Sequence, residues 1–207
     1  YVLDPGVLEI IPQGQPFDFS HDVFPEMLRK GMALYGYAAD GYWADVGTID
    51  EYRRANADAV TGKTGIDLPD AKEGLMVGDG TVVHPKTRFF GDILLGRHCQ
   101  LGEGVEIRGP TVIGDCVVVD TEAQIDQSIL LANSYVGRGA KLNSCVIGAQ
   151  STVGEGADIE EAVVLGDKCR VGKRCTVKAA VKVWPNTRID DGTIVTEALD
   201  HGLSLRH

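Results

Sequence analysis

The sequence lacks the features that would place it in several large classes. Its five cysteines, Cys99, Cys116, Cys145, Cys169 and Cys175, are odd in number and include no C-x-x-C pair, which argues against a disulfide framework and against zinc. No apolar run approaches bilayer length and no basic-then-apolar leader opens the chain, so no membrane partner is expected and the expected location is cytoplasmic. A cationic excess is also missing: 20 Lys and Arg face 30 Asp and Glu, a formal charge of -10. Phosphate backbones need clustered bases, so no nucleic-acid partner is expected. Between Val77 and Val195 there is no helical stripe at i, i+3, i+4 and i+7.

What stands there instead is a period of six. Val77, Val83, Phe89, Leu95, Leu101, Ile107, Ile113, Val119, Ile125 and Leu131 open successive units. With two shortened steps before Ile147, the series continues through Val136, Leu142, Val153, Ile159, Leu165, Val171, Val177, Val183 and Ile189 to Val195. Gly often follows the apolar position, as at Gly96, Gly114, Gly148 and Gly166, where a sharp bend is easiest without a Cβ. Position i+4 is small or β-branched, as at Thr81, Val117, Ala140, Val146 and Ser151. Cys99, Cys169 and Cys175 share that slot and read as compact buried thiols.

A large residue at i above a small one at i+4 stacks in register if each hexad is one short strand and one corner of a three-sided coil. The pattern resembles the hexapeptide-repeat, left-handed parallel β-helix. The expected fold is therefore mainly β: a left-handed parallel β-helix of six to seven coils over 73–197, preceded by a partial α/β domain over 1–60 and a linker over 61–72. The segment 198–207, with Gly202, His201 and His207, reads as a tail without pattern.

Before the repeats, Tyr1 to Leu3 reads as a strand, Asp4-Pro5-Gly6 as a turn and Val7 to Ile11 as a short helical turn. His21 to Gly31 reads as a helix with Val23, Phe24, Met27 and Leu28 on one face. Met32 to Ala38 and Tyr42 to Val46 read as a hairpin turned at Asp40-Gly41, and Thr48 with Glu51 as a capping box opening a second helix to about Val60. Sixty such residues carry too little apolar surface for a comfortable domain. The chain, opening at Tyr1, is expected to be a piece of a longer polypeptide.

Tyr1-Val-Leu-Asp-Pro, then Pro16-Phe-Asp-Phe-Ser-His-Asp-Val-Phe-Pro25, then Gly41-Tyr-Trp-Ala-Asp-Val-Gly-Thr48 resemble the last third of the sugar-phosphate nucleotidyltransferase domain. With a hexapeptide β-helix behind it, the order is similar to mannose-1-phosphate guanylyltransferases and glucose-1-phosphate adenylyltransferases, and Val181-Lys-Val-Trp-Pro-Asn186 is nearest the former. The family's N-terminal Gly-rich loop, its first metal-binding aspartate and its Glu-Lys pair have no counterpart here, so the resemblance places no catalytic residue in this chain.

The resemblance implies a parent that joins a nucleoside triphosphate to a hexose 1-phosphate with Mg²⁺, releasing pyrophosphate. It implies Asp45 as a metal ligand and Asp22, Trp43, Gly47 and Thr48 as sugar-phosphate contacts. A divalent ion offsets the repulsion between an attacking phosphate and an already anionic phosphorus. Plainer roles compete at each position: a strand-end carboxylate at Asp45, helix-end charge at Asp22, packing at Trp43 and a cap at Thr48. The β-helix is expected to serve assembly or regulation, with homo-oligomers as the expected state. Two alternatives are a non-catalytic regulatory subunit and a hexapeptide-repeat acyltransferase. The latter would need a histidine base, for which only His84 and His98 lie in the repeats, both at corner positions.

Overall fold

The computed structural model describes residues 1–199; the expectation for 200–207 lies outside them. The chain forms two compact units, Tyr1–Gly41 and a second from Tyr42 onward.

In the second unit the hexads wind into a triangular prism. Three parallel sheets of seven strands each form its faces, and every strand is two or three residues long. The first face starts at Leu75–Val77 and climbs through Ile93–Leu95, Thr111–Ile113, Ile129–Leu130, Val146–Ile147 and Val164–Leu165 to Lys182–Val183. The second runs from Val82–Val83 to Arg188–Ile189 and the third from Arg88–Phe90 to Ile194–Val195. The expected left-handed β-helix is what the chain forms, with seven coils.

Two residues suffice for a strand because each then sends one side chain inward and one outward, while the hexad's other inward residue, such as Cys99 or Val117, sits just before the strand. Leu95, Ile113, Ile147 and Leu165 stack up the axis, each at most 1% exposed. Burying one such side chain contributes on the order of 1.5–3 kcal/mol, and the ladder multiplies it. Above each corner the next coil passes so closely that a Cβ on Gly148 would collide with the Gly166 carbonyl carbon. Cys116, Gln150, Lys168 and Asn186 take positive φ (58°, 59°, 58° and 63°) to turn corners between the first and second faces. Aspartates tie coil to coil: Asp115, Asp167 and Asp191 each accept, at 2.8 Å, the N–H of Arg97, Ala149 and Lys173 one turn below.

The period departs from the expected phase at one point. The buried rung is Leu130, which pairs in register with Ile113 and Ile147, while Leu131 is only half-buried. The two shortened steps are thus Ile125 to Leu130 and Leu142 to Ile147, both at the corner between the third and first faces. In consequence Cys145 and Ser128 occupy inward slots, and Val146 faces out. An apolar pair such as Leu130-Leu131 hides a one-residue slip, because either residue satisfies the pattern. A second correction concerns the tail: Leu199 is 5% exposed and bridges Val183, so the last described residues extend the first face.

Helix α2, Ile49–Val60, belongs to this unit and lies against the first face. There the outward residues are themselves aliphatic: Ile129 and Val146 are 4% and 6% exposed despite pointing away from the axis. A cavity of about 250 Å³ remains between helix and prism, lined by Asp50, Arg53, Arg54, Pro110, Gln127 and Ile129 among others.

The first unit is small. A 3-10 helix, Pro5–Ile10, is capped by Asp4, whose carboxylate accepts the Gly6 N–H at 2.8 Å. The expected helix over His21 to Gly31 forms in two parts, a wide π-turn at Phe19–Val23 and α1, Phe24–Arg29, with Gly31 at φ 68° as its stop. Val7, Val23 and Met27 form the core. The rings of Tyr1, Phe19 and Phe24 cluster beside it, with centroids 5.0–5.9 Å apart. The strands expected at Tyr1 to Leu3, Met32 to Ala38 and Tyr42 to Val46 do not form. A strand needs a hydrogen-bonded neighbour, and a lone hairpin is marginal in water. Tyr35 and Tyr37 accordingly stand 90% and 92% exposed. Among the described residues no helix is long and apolar enough to cross a membrane.

Candidate functional site

Asp22 lies in the first unit, whereas Trp43, Asp45, Gly47 and Thr48 share one segment of the second. That segment is laid along α2 and fastened at both ends. At one end Tyr42 donates its hydroxyl to Asp58 Oδ2 at 3.0 Å, and Lys63 holds the other carboxylate oxygen at 2.9 Å. Lys63, then Tyr42, keeps the Asp58 carboxyl below its ordinary range, and burial with the Asp58 bond pushes the Tyr42 phenol up. At the other end Thr48 caps α2: its hydroxyl accepts the Glu51 N–H at 3.2 Å and donates to Glu51 Oε2 at 2.9 Å. Between the fasteners Trp43 is 82% exposed and Asp45 is exposed too.

Chemically, this end of α2 is acidic. Asp50 and Glu51 occupy its first turn, where they complement the helix dipole. They also repel a phosphate approaching Gly47 and Thr48, and the Thr48 hydroxyl is already engaged in both directions. The Mg²⁺ implied by the resemblance finds no complete site either. Among the described residues no group of three His, Cys, Asp or Glu side chains is placed to hold a metal ion, and Asp45 is a single exposed carboxylate. The residues present do not fit the ion without ligands from elsewhere, since Mg²⁺ keeps near-octahedral oxygen coordination.

Asp22 is occupied locally. Its Oδ2 accepts the Asp18 N–H at 2.8 Å while Asp18 Oδ1 accepts those of Ser20 and His21, a reciprocal cap at the start of the helical segment. The His21 N–H bond holds the Asp18 carboxyl below its ordinary range. In the prism His84 Nδ1 accepts the Lys86 N–H at 3.2 Å, and the His98 ring lies over Gly80, where it fills the space of a Cβ. Both are corner residues engaged with neighbouring backbone.

Arg53 escaped the sequence reading because nothing in a helical pattern distinguishes a cation that turns inward. Among the described residues its Nε, buried at the cavity under α2, has no hydrogen-bond partner, and Asp50 Oδ1 stands 3.9 Å from Nη1.

Comparison with known proteins places these features. Residues 89–199 match the family model described as the GMPPB C-terminal domain, and residues 1–62 match that described as nucleotidyl transferase. Among curated relatives, UTP–glucose-1-phosphate uridylyltransferase of Synechocystis sp. is 27% identical over 69% of this chain and 38% of its own length. Mannose-1-phosphate guanylyltransferase of Mycobacterium tuberculosis is 33% identical over 61% of this chain and 36% of its own. Glucose-1-phosphate adenylyltransferase of Desulfitobacterium hafniense is 29% identical over 87% and 43% respectively. The chain thus spans about two fifths of the length of these relatives. Among solved structures, a UDP-N-acetylglucosamine acyltransferase from Campylobacter jejuni is 18% identical, covering 62% of this chain and 65% of that one, with a TM-score of 0.48.

Proposed function

The chain belongs to the family of the GMPPB C-terminal domain, within the sugar-1-phosphate nucleotidyltransferases, and on that premise we propose that it is the C-terminal portion of a mannose-1-phosphate guanylyltransferase-like enzyme. In this reading the intact parent joins GTP to a hexose 1-phosphate and releases pyrophosphate, and the prism serves assembly or regulation. The observation that carries it is the joining of two matches in one continuous chain. The nucleotidyl transferase match ends at residue 62, just past α2, and α2 is the element laid on the prism that carries the second match.

The prism gives α2, the last element of the nucleotidyl transferase match, its base. Asp45, on the fastened segment beside α2, contributes one carboxylate to a divalent ion whose other ligands come from outside this chain. Trp43, exposed on the same segment, and the Gly47-Thr48 helix start border the hexose phosphate, provided that the divalent ion offsets the charge of Asp50 and Glu51. Asp22, in the first unit, is proposed as a separate sugar-phosphate contact, with its carboxylate held by the cap with Asp18. The flat prism faces, with Val82 65% exposed and Tyr135 37% exposed on the second, support homo-oligomers.

The test uses the full-length gene product with Mg²⁺, supplied in turn with GTP and mannose 1-phosphate, UTP and glucose 1-phosphate, and ATP and glucose 1-phosphate. Pyrophosphate release fastest with the first pair is the expected result. Release at background with all three would sink the enzymatic reading, and preference for another pair would replace the guanylyl assignment alone.

A further inference from the structure

The exterior of the prism follows a rule that is broken once. Outward residues on neighbouring strands sit in register about 4.8 Å apart, so charge pairing there is felt directly. Arg88 meets Glu106 in an ion pair, Lys141 meets Asp158, Arg108 meets Asp126, and the remaining outward register pairs have at most one charge. The exception among the described strands is Arg170 and Arg188, in register on the last two strands of the second face. Like charges directly opposite are destabilising.

The corner beside this pair adds to the imbalance. Gln150, Lys168 and Asn186 are stacked corner residues of positive φ, so their side chains form a column next to the arginines. Together with Thr187 these residues line an open cavity of about 450 Å³, with three cations and no carboxylate among the described residues of its wall. Arg188 approaches Asp190 at 3.3 Å from outside that wall, whereas Lys168 and Arg170 enter no ion pair among the described residues. On a chain of net charge -10 this is a concave site for an anion, in a size range that takes small ligands.

We propose that the basic cavity at Lys168, Arg170 and Arg188 binds an oxyanion with two linked phosphoryl groups, as free pyrophosphate or as the diphosphate of a nucleotide. Guanidinium forks pair with phosphoryl oxygens in parallel hydrogen bonds, and two adjacent forks match two adjacent groups. Lys168 adds a point charge at one end, and the Gln150 and Asn186 amides supply neutral donors at the rim. The bound anion relieves the Arg170–Arg188 repulsion, which explains why the pair is tolerated. The site lies on the prism alone and stands whether or not the parent has the activity proposed above.

Calorimetric titration of the protein with sodium pyrophosphate, GDP, inorganic phosphate and poly-glutamate, at low and moderate salt, tests this. Pyrophosphate or GDP should bind more tightly than inorganic phosphate, with affinity falling as salt rises. GDP above pyrophosphate would point to a nucleotide, and the reverse to the free anion. Arg170→Gln and Arg188→Gln should each weaken binding roughly 10-fold or more, the loss of one charge-assisted pair. The unliganded variants should melt no lower than the parent protein, which separates lost binding from lost folding. No heat with either diphosphate, or equal binding by both variants, overturns the proposal. Binding of poly-glutamate without either diphosphate also overturns it, in favour of an acidic protein segment.

Discussion

Ser134 and Ser151 are stacked neighbours in one inward column, yet their hydroxyls fare differently. Ser151 donates to the Gly166 carbonyl at 2.8 Å and accepts the Cys169 N–H at 3.0 Å. Ser134 Oγ is buried without a partner among the described residues. Ser151→Ala should therefore cost about 1–3 kcal/mol and Ser134→Ala nothing or a gain, read from urea denaturation midpoints. Gly148→Ala should cost about 1–3 kcal/mol by forcing the coil above it aside. The thiols separate in the same way. Burial pushes Cys145 up to about 12, and burial also raises Cys99, Cys169 and Cys175, while Cys116 sits exposed on a corner. Iodoacetamide at pH 8 should modify one cysteine in the native protein, Cys116, and all five only after unfolding; mass spectrometry decides. The inward cysteines at 99, 169 and 175 were legible in the hexad phase. Cys145 was not, because a contracted corner shifts the slot by one residue without changing the composition around it.

At the scale of elements, α1 and α2 were both legible from caps and stops, and both depend on them. Thr48→Ala should lower stability by about 1 kcal/mol through loss of the α2 cap. In α1, two hydrogen bonds from Arg29 hold the Glu26 carboxyl down to about 2. A carboxyl depressed in the folded state contributes stability above its ordinary value, and that contribution is lost as pH falls toward about 2. A carbon-13 titration of Glu26 should give a midpoint near 2, rising in Arg29→Ala but staying below the ordinary carboxylate range because Lys30, 3.4 Å away, still pairs with it. The hairpin from Met32 to Val46 was misread for a reason that no local pattern reveals. Alternation and a turn state that a segment is fit to be a strand, but the hydrogen-bonding neighbour is a property of the rest of the fold. The candidate site shares this limit. Trp43, Asp45, Gly47 and Thr48 could be named from their order in the chain, whereas the Tyr42–Asp58 fastening that lays them along α2 depends on residues sixteen apart.

At the largest scale the prism behaves as a stack. Each coil touches the ones above and below, so stability adds coil by coil. Deleting Val153 to Arg170, one complete turn of 18 residues, joins Thr152 to Val171 in phase; it should leave strand-type circular dichroism and a cooperative but lower melting point. Six-residue spacing made this architecture readable across most of the chain. What it could not supply was a landmark along the axis, and the two shortened corners provide one. A prism of uniform pitch offers a helix the same aliphatic berth at every storey, so α2 could settle one level too high or too low with little penalty. The contracted corner at Gln127 breaks that uniformity beside the helix, where Gln127 and Ile129 line the cavity under α2. The storey that α2 occupies is thereby marked by an amino acid the sequence omits.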